Sequence, residues 1–307
     1  MSQRGIVLFG MMAVIWGIPY LFIRVAVAEI TPATLVFCRT ALGTLILLPI
    51  AVTRVDLRPV LARWRWLVAF ALIEIALPWL MLGTAEERIS SSLTGLLLAG
   101  VPLVGTVLAL ATGGADRTSR TSALGLLVGL VGVGAIVGAD FASSDAVSLL
   151  EVGVVVVCYA IGPAILARRL GGLPAVGVMS LALGLTALIY LPFAAAQWPA
   201  AIPSPKVLAS IGVLAVICTS VGFIVFAALI KEIGPVRSTV ITYINPAVAA
   251  VLGIVVLNES FSLAMGAGLL LVISGSILAT RRPSTTVDPP APISEHVSAA
   301  PAGGSNG

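Results

Sequence analysis

The chain has 307 residues, of which 59% are hydrophobic and only 10% charged, with a net charge of +4. Soluble domains carry about 25% charged residues, so this composition excludes an ordinary soluble fold and indicates a polytopic membrane protein. Strands of about ten residues with alternating polarity are missing, which excludes a transmembrane β-barrel.

A spanning helix needs roughly 20 mostly apolar residues. Ten such runs are predicted, at 5–28, 32–52, 66–85, 89–111, 121–139, 149–168, 173–197, 207–230, 236–257 and 262–280. With the N-terminus inside, the cytoplasmic segments hold Arg4, Arg54, Arg58, Arg63, Arg65, Arg117, Arg120, Arg168, Arg169, Lys231, Arg237, Arg281 and Arg282. The opposite side holds only Arg24, Arg88 and Lys206, and Arg39 lies within a run. This asymmetry predicts two cytoplasmic termini by the positive-inside rule. The basic balance is thereby a topology signal and not a nucleic-acid patch. Cys38, Cys158 and Cys218 sit in apolar runs without metal-ligand spacing, and the lone histidine, His296, is in the tail. Neither a metal nor a cofactor is expected.

The first run opens after Arg4 and ends near Ala26-Val27-Ala28, a pattern that a cleaved signal peptide shares. Arg24 late in the run, with Trp16 and Pro19 in its middle, favours a retained helix. Met12, Trp16, Pro19 and Ile23 fall on one helical face with Tyr20 adjacent, either as interhelical packing or as a cavity wall.

Arg39 lies about two turns into the second run and Glu74 about two turns into the third, which runs the other way. An ionised group in hydrocarbon costs several kcal/mol, so such residues face the bundle interior, water or each other. At roughly 1.5 Å per residue their backbones differ in depth by about 6 Å, which permits an Arg39/Glu74 ion pair. The pair either holds two helices together or stands on a substrate path. Trp64 and Trp66 are expected as interfacial anchors, Glu86-Glu87-Arg88 as a solvated turn, and Ser90, Ser91 and Ser92 as partners of a helix end.

The fifth run carries Gly125, Gly129, Gly132, Gly134 and Gly138, and the tenth Gly266, Gly268 and Gly275. Small residues at these spacings let helices approach closely. In the sixth run Tyr159 and Pro163 occupy the places of Trp16 and Pro19. In the ninth, Ser238, Thr242 and Asn245 share a face, with Tyr243 and Pro246 beside it. Pro246 leaves the Thr242 carbonyl without its helical donor. The segment is thus either polar glue between helices or a binding element. The tail beyond Arg282, rich in Pro, Ser, Ala and Gly, is expected to be disordered.

An internal repeat organises the whole. A constant shift of 144 positions lays Pro102 on Pro246, Val104 on Val248, Val107 on Val251, Ile89 on Ile233, Pro19 on Pro163 and Arg24 on Arg168. Five runs per repeat is odd, so the second half enters the membrane from the opposite side. The expected fold is an all-α polytopic membrane protein of ten transmembrane helices in two inverted-topology five-helix repeats. These are residues 1–140 and 141–281, followed by a cytoplasmic tail at 282–307.

The stretch INPAVAAVLGIVVLNES, with Asn245, Pro246, Gly253, Leu257 and Glu259, together with Trp16-Gly17, Arg39 and the pattern at 89–110 containing Pro102, resembles the EamA-type branch of the drug/metabolite transporter superfamily. The resemblance covers residues 5–281. Gly113-Gly114-Ala115-Asp116 departs from it, because no glutamate follows the first-half helix. What the resemblance implies is alternating access, export of amino acids or other small metabolites, and peripheral fifth and tenth helices around a central cavity.

Inverted repeats with broken helices and a few polar groups at mid-depth argue independently for a secondary carrier. No phosphate-binding loop for nucleotide hydrolysis is present, and no Ser/His, paired-Asp or metal constellation suggests an enzyme. The expected function is secondary active export of small metabolites across the plasma membrane. Proton-coupled efflux of lipophilic cationic drugs and a non-transporting membrane scaffold are the alternatives. Trp16, Tyr20, Arg39, Glu74, Tyr159, Thr242, Tyr243 and Asn245 are the candidate substrate-binding residues. Partners are then a small-molecule substrate, the lipid bilayer, and a coupling proton or counter-substrate.

Overall fold

The computed structural model describes residues 2–111, 120–139, 145–233, 241–242 and 244–280, and among them every regular element is helical. We number the helices α1 (Gln3–Ala26), α2 (Pro32–Arg54), α3 (Trp64–Glu86), α4 (Ser91–Leu97 and Val101–Ala111), α5 (Arg120–Ala139), α6 (Ala146–Arg169), α7 (Ala175–Ala196), α8 (Pro205–Ile233), α9 (Asn245–Leu257) and α10 (Leu263–Thr280). A single short turn of helix, Arg58–Ala62, lies between α2 and α3. Ser238, Tyr243, residues 113–116 and residues 282–307 lie outside the described residues.

Seven of these helices are long and apolar enough to cross a membrane. In the other three, the apolar stretches among the described residues, Ala123–Gly138, Asn245–Leu257 and Leu263–Leu278, are shorter than 18 residues. At about 1.5 Å per residue a 13-residue helix such as α9 spans about 20 Å, short of a hydrocarbon core of about 30 Å. Large apolar side chains nevertheless cover the outward faces, among them Leu45, Leu127, Leu130, Val255 and Leu270, each more than 60% exposed. Such a surface suits lipid and not water.

Local chemistry sets the ends. Thr31, Ser90 and Asp145 cap α2, α4 and α6 by accepting hydrogen bonds from the Thr34, Leu93 and Ser148 amides. Asn258 stops α9 in the left-handed region, at φ 54°. Inside the helices, breaks follow from missing donors. Pro19 has no N–H, and the Gly17 amide shifts to the Val14 carbonyl, which also keeps its ordinary donor Ile18, so α1 is broken at Trp16–Ile18 where the sequence suggests one continuous helix. A 3-10 turn at Leu98–Gly100 interrupts α4. Thr242 and Ile244, 144 positions after Leu98 and Gly100, fall in the turn that precedes α9. Likewise α3 contains a π-helical segment at Ala71–Ala76 and α8 one at Val213–Val221.

The main helix pairings are α1 with α8, α3 with α6, α2 with α7, α4 with α9 and α5 with α10. Glycine sets the last of these. A Cβ on Gly132 would stand 2.6 Å from the Val272 nitrogen, and one on Gly268 would stand 2.8 Å from the Gly132 carbonyl. No side chain larger than hydrogen fits there, and the two backbones touch over Gly125, Gly129, Gly132, Gly268 and Gly275. The α1 break is equally close to α9, since a Cβ on Gly17 would stand 2.5 Å from Val248 Cβ.

Candidate functional site

The breaks bring main-chain groups into the bundle, and side chains answer them. The Ala13 carbonyl would normally receive the Gly17 amide, which has turned to Val14 instead. With its amide oriented so that nitrogen faces carbonyls, Asn245 donates to Ala13 and to Ile241, both at 3.2 Å. Buried Asn245 therefore clamps the broken α1 to the start of α9. Thr242 lies half-buried in the turn just before it.

Arg39, on α2, is only 7% exposed. Its guanidinium carbon stands 3.5 Å from the centre of the Trp79 ring on α3, and its Nε donates to Thr219 Oγ1 on α8 at 2.9 Å. Thr219 in turn donates to the Leu214 carbonyl at 2.8 Å, inside the π-helical segment that frees such a carbonyl. Tyr20 from α1, Tyr159 from α6 and Cys218 from α8 lie within electrostatic range of the same guanidinium. Five helices thus converge on one cation, and among the described residues Arg39 forms no salt bridge.

The Arg39/Glu74 ion pair that depth alone permits is not made. Depth along a helix leaves rotation undetermined, and Trp79 and Thr219 take the guanidinium. Glu74 belongs to the π-helical segment of α3, where its carboxylate presses on Gly162 of α6. Its Oε2 is buried without a hydrogen-bond partner among the described residues. Tyr159 and Cys158 are its electrostatic neighbours. Tyr159 lies within electrostatic range of both Arg39 and Glu74.

Trp16 lies apart from this cluster. Its ring packs on α8 against Phe226, with centroids 4.6 Å apart, and edge-on to Phe223 at 6.2 Å. Of the eight candidates, then, Tyr20, Arg39 and Tyr159 converge and Glu74 adjoins them. Trp16, Thr242 and Asn245 belong to the neighbouring α1, α8 and α9 junction, and Tyr243 is outside the described residues. Two cavities of about 400 and 330 Å³ are lined by side chains such as Leu103, Leu126 and Val152, and Phe37, Trp198 and Leu208, and hold none of the candidates.

Sequence reasoning missed Trp79 and Thr219 as partners of Arg39, and it misplaced Glu86. The solvated turn expected at Glu86-Glu87-Arg88 is corrected at its first residue, for Glu86 is completely buried while Glu87 and Arg88 are exposed. The helix continues through Glu86 and turns it inward against α1, where Arg24 donates to its backbone carbonyl. Arg88 meanwhile reaches α6, pairing with Asp145 at 3.0 Å and with Glu151 at 2.6 Å. Ser91 and Ser92 do serve a helix end, through a partner distant in sequence. Both backbone amides and both hydroxyls donate to the Glu259 carboxylate, at 2.5 to 2.9 Å. A carboxylate at a helix N-terminus satisfies otherwise orphaned amides and the helix dipole together.

The model of the EamA-like transporter family matches residues 3–138 and 149–281. An uncharacterized transporter of Bacillus subtilis (strain 168), YvbV, is 23% identical over 286 residues, which cover 90% of this chain and 92% of that protein. A crystal structure 18% identical in sequence shares the fold, with a TM-score of 0.63 over 91% of this chain and 97% of the other.

Proposed function

The chain belongs to the EamA-like transporter family, and on that premise we propose that it is a secondary active carrier that exports small metabolites with a carboxylate, amino acids among them, by alternating access. The observation that carries this reading is Arg39. A buried guanidinium without a counter-charge is costly. Its planar fork matches a carboxylate, and Trp79 holds the plane in place. The substrate carboxylate docks on the free edge of Arg39, and its ammonium faces Tyr159 and Glu74.

Two inverted five-helix repeats, in the plasma membrane with both termini cytoplasmic, complete the proposal. Support comes from the pairing of α1 with α8 and of α3 with α6, which exchange under a five-helix shift, and from the π-helical segments in both α3 and α8. Broken helices at mid-depth are the usual hinges and ion sites of such carriers. Thermal stabilisation of the purified protein by a panel of amino acids and decarboxylated analogues tests the reading, because only binders raise apparent stability. Stabilisation by amino acids that Arg39→Met abolishes is the expected result. Equal stabilisation by the decarboxylated amines would sink it.

One observation favours a second reading, proton-coupled efflux of lipophilic cations. The unpartnered Glu74 Oε2 beside Tyr159 is the group on which a cation and a proton would compete. Stabilisation of the protein by cationic dyes, lost in Glu74→Gln, would select this alternative.

A further inference from the structure

Glu86 closes α3 at the opposite end from Arg63 and Arg65, and both of its carboxylate oxygens are buried without a hydrogen-bond partner among the described residues. The charged and titratable groups around it are well defined. From α1, Arg24 commits an N–H to the Glu86 backbone carbonyl, and Tyr20 stands within electrostatic range. From the segment after α9 comes Glu259, whose carboxylate already holds the Ser91 and Ser92 donors at the start of α4. On its own chain segment Glu87 and Arg88 are exposed, and Arg88 is engaged by Asp145 and Glu151 at the start of α6. A fully buried Glu86 carboxyl thus lies within electrostatic range of the half-buried Glu259 carboxylate, and the local donors serve only Glu259.

A second bare carboxylate there would lack both water and donors, whereas a carboxylic acid needs neither to the same degree. We infer that Glu86 is a proton-binding site, separate from Glu74, built into the junction of α1, α3, α4 and α9. The proton sits on one Glu86 oxygen while the Glu259 clamp on α4 is closed. When α4 and the end of α9 separate, water reaches the carboxyl and takes the proton, leaving a carboxylate whose charge opposes reclosure beside Glu259. Tyr20 senses both Glu86 and Arg39, which ties this junction to the central cluster. Only that last role rests on the carrier reading, since proton occupancy is measurable without any cargo.

Infrared difference spectroscopy of the full chain in lipid nanodiscs, titrated from acid to alkaline pH, tests the site directly. The carbonyl stretch of protonated carboxyl groups is expected to contain one component that vanishes in Glu86→Gln and persists in Glu74→Gln. Because Glu86→Gln could fail to fold, Arg24→Gln provides a second arm. It keeps an amide donor for the Glu86 carbonyl but removes the nearby positive charge, and the same component then persists to higher pH than in the parent. A titration unchanged by Glu86→Gln in a folded protein, or a midpoint that Arg24→Gln leaves in place, would overturn the inference.

Discussion

The Arg39 guanidinium lies 3.5 Å from the Trp79 ring centre and turns its Nε to Thr219. A cation is thereby held in a fixed plane between α2, α3 and α8, with no carboxylate of the described residues bound to it. Cation–π contact and one hydrogen bond orient the group without neutralising it. That distinguishes Arg39 from a structural ion pair.

Arg39→Lys keeps the charge but loses the planar fork and the stacking on Trp79. Counterflow of a labelled amino acid in proteoliposomes is expected to fall about tenfold or more, equivalent to about 1.4 kcal/mol in the barrier. The melting temperature in detergent should stay near that of the parent. Undiminished counterflow would remove Arg39 from the substrate path.

Asn245 answers two carbonyls with one amide nitrogen. Asn245→Ala should cost about 1–3 kcal/mol by leaving the Ala13 carbonyl without a donor. Asn245→Asp should cost more, because an acceptor then faces two acceptors. Thermal melts of the three proteins decide the matter, and equal melting of the Asp variant and the parent would refute the clamp.

Glu259→Gln leaves a single acceptor oxygen for donors from both Ser91 and Ser92. A loss of about 1–3 kcal/mol is expected, along with faster amide hydrogen exchange at the start of α4. Exchange that is unaltered at Ser91 and Ser92 would contradict the capping role.

A Cβ at Gly275 would meet the Gly129 backbone nitrogen and stand 2.6 Å from the Gly125 carbonyl, so Gly275→Leu should prise α10 from α5 at a cost of about 1–3 kcal/mol or more. Gly134, on α5, has nothing within 4 Å of where a Cβ would lie. Gly134→Ala should be neutral or stabilising by up to about 1 kcal/mol. Comparable melting of the two variants would show that close backbone approach is not what joins these helices.

Much of the architecture was legible beforehand. Helix class and the apolar runs follow from hydropathy, which is a local property of the chain. The seven-residue step shared by Gly125–Gly132 and Gly268–Gly275 announced two helices able to approach closely, and these two do pack together. Pro246 marked a kink because proline removes a donor wherever it stands, while the break before Pro19 was not read. Less was legible at the site. Arg39 and Glu74 were visible as costly charges, but Trp79 read as one more aromatic in an apolar helix and Thr219 as one more hydroxyl. Glu86 read as solvated because Glu87 and Arg88 follow it.

The amino-acid sequence by itself determined that this chain is a helical membrane protein with charges it must hide, since transfer energies depend only on residue type and segment length. The tertiary structure alone decided which group each charge meets: Arg39 meets Trp79 instead of Glu74, Glu86 turns inward, and Glu259 closes a helix end reached from 167 or more positions away. The physical reason is rotation. Hydropathy places a residue along a helix axis, while the direction its side chain takes about that axis depends on breaks, π-helical turns and neighbouring helices.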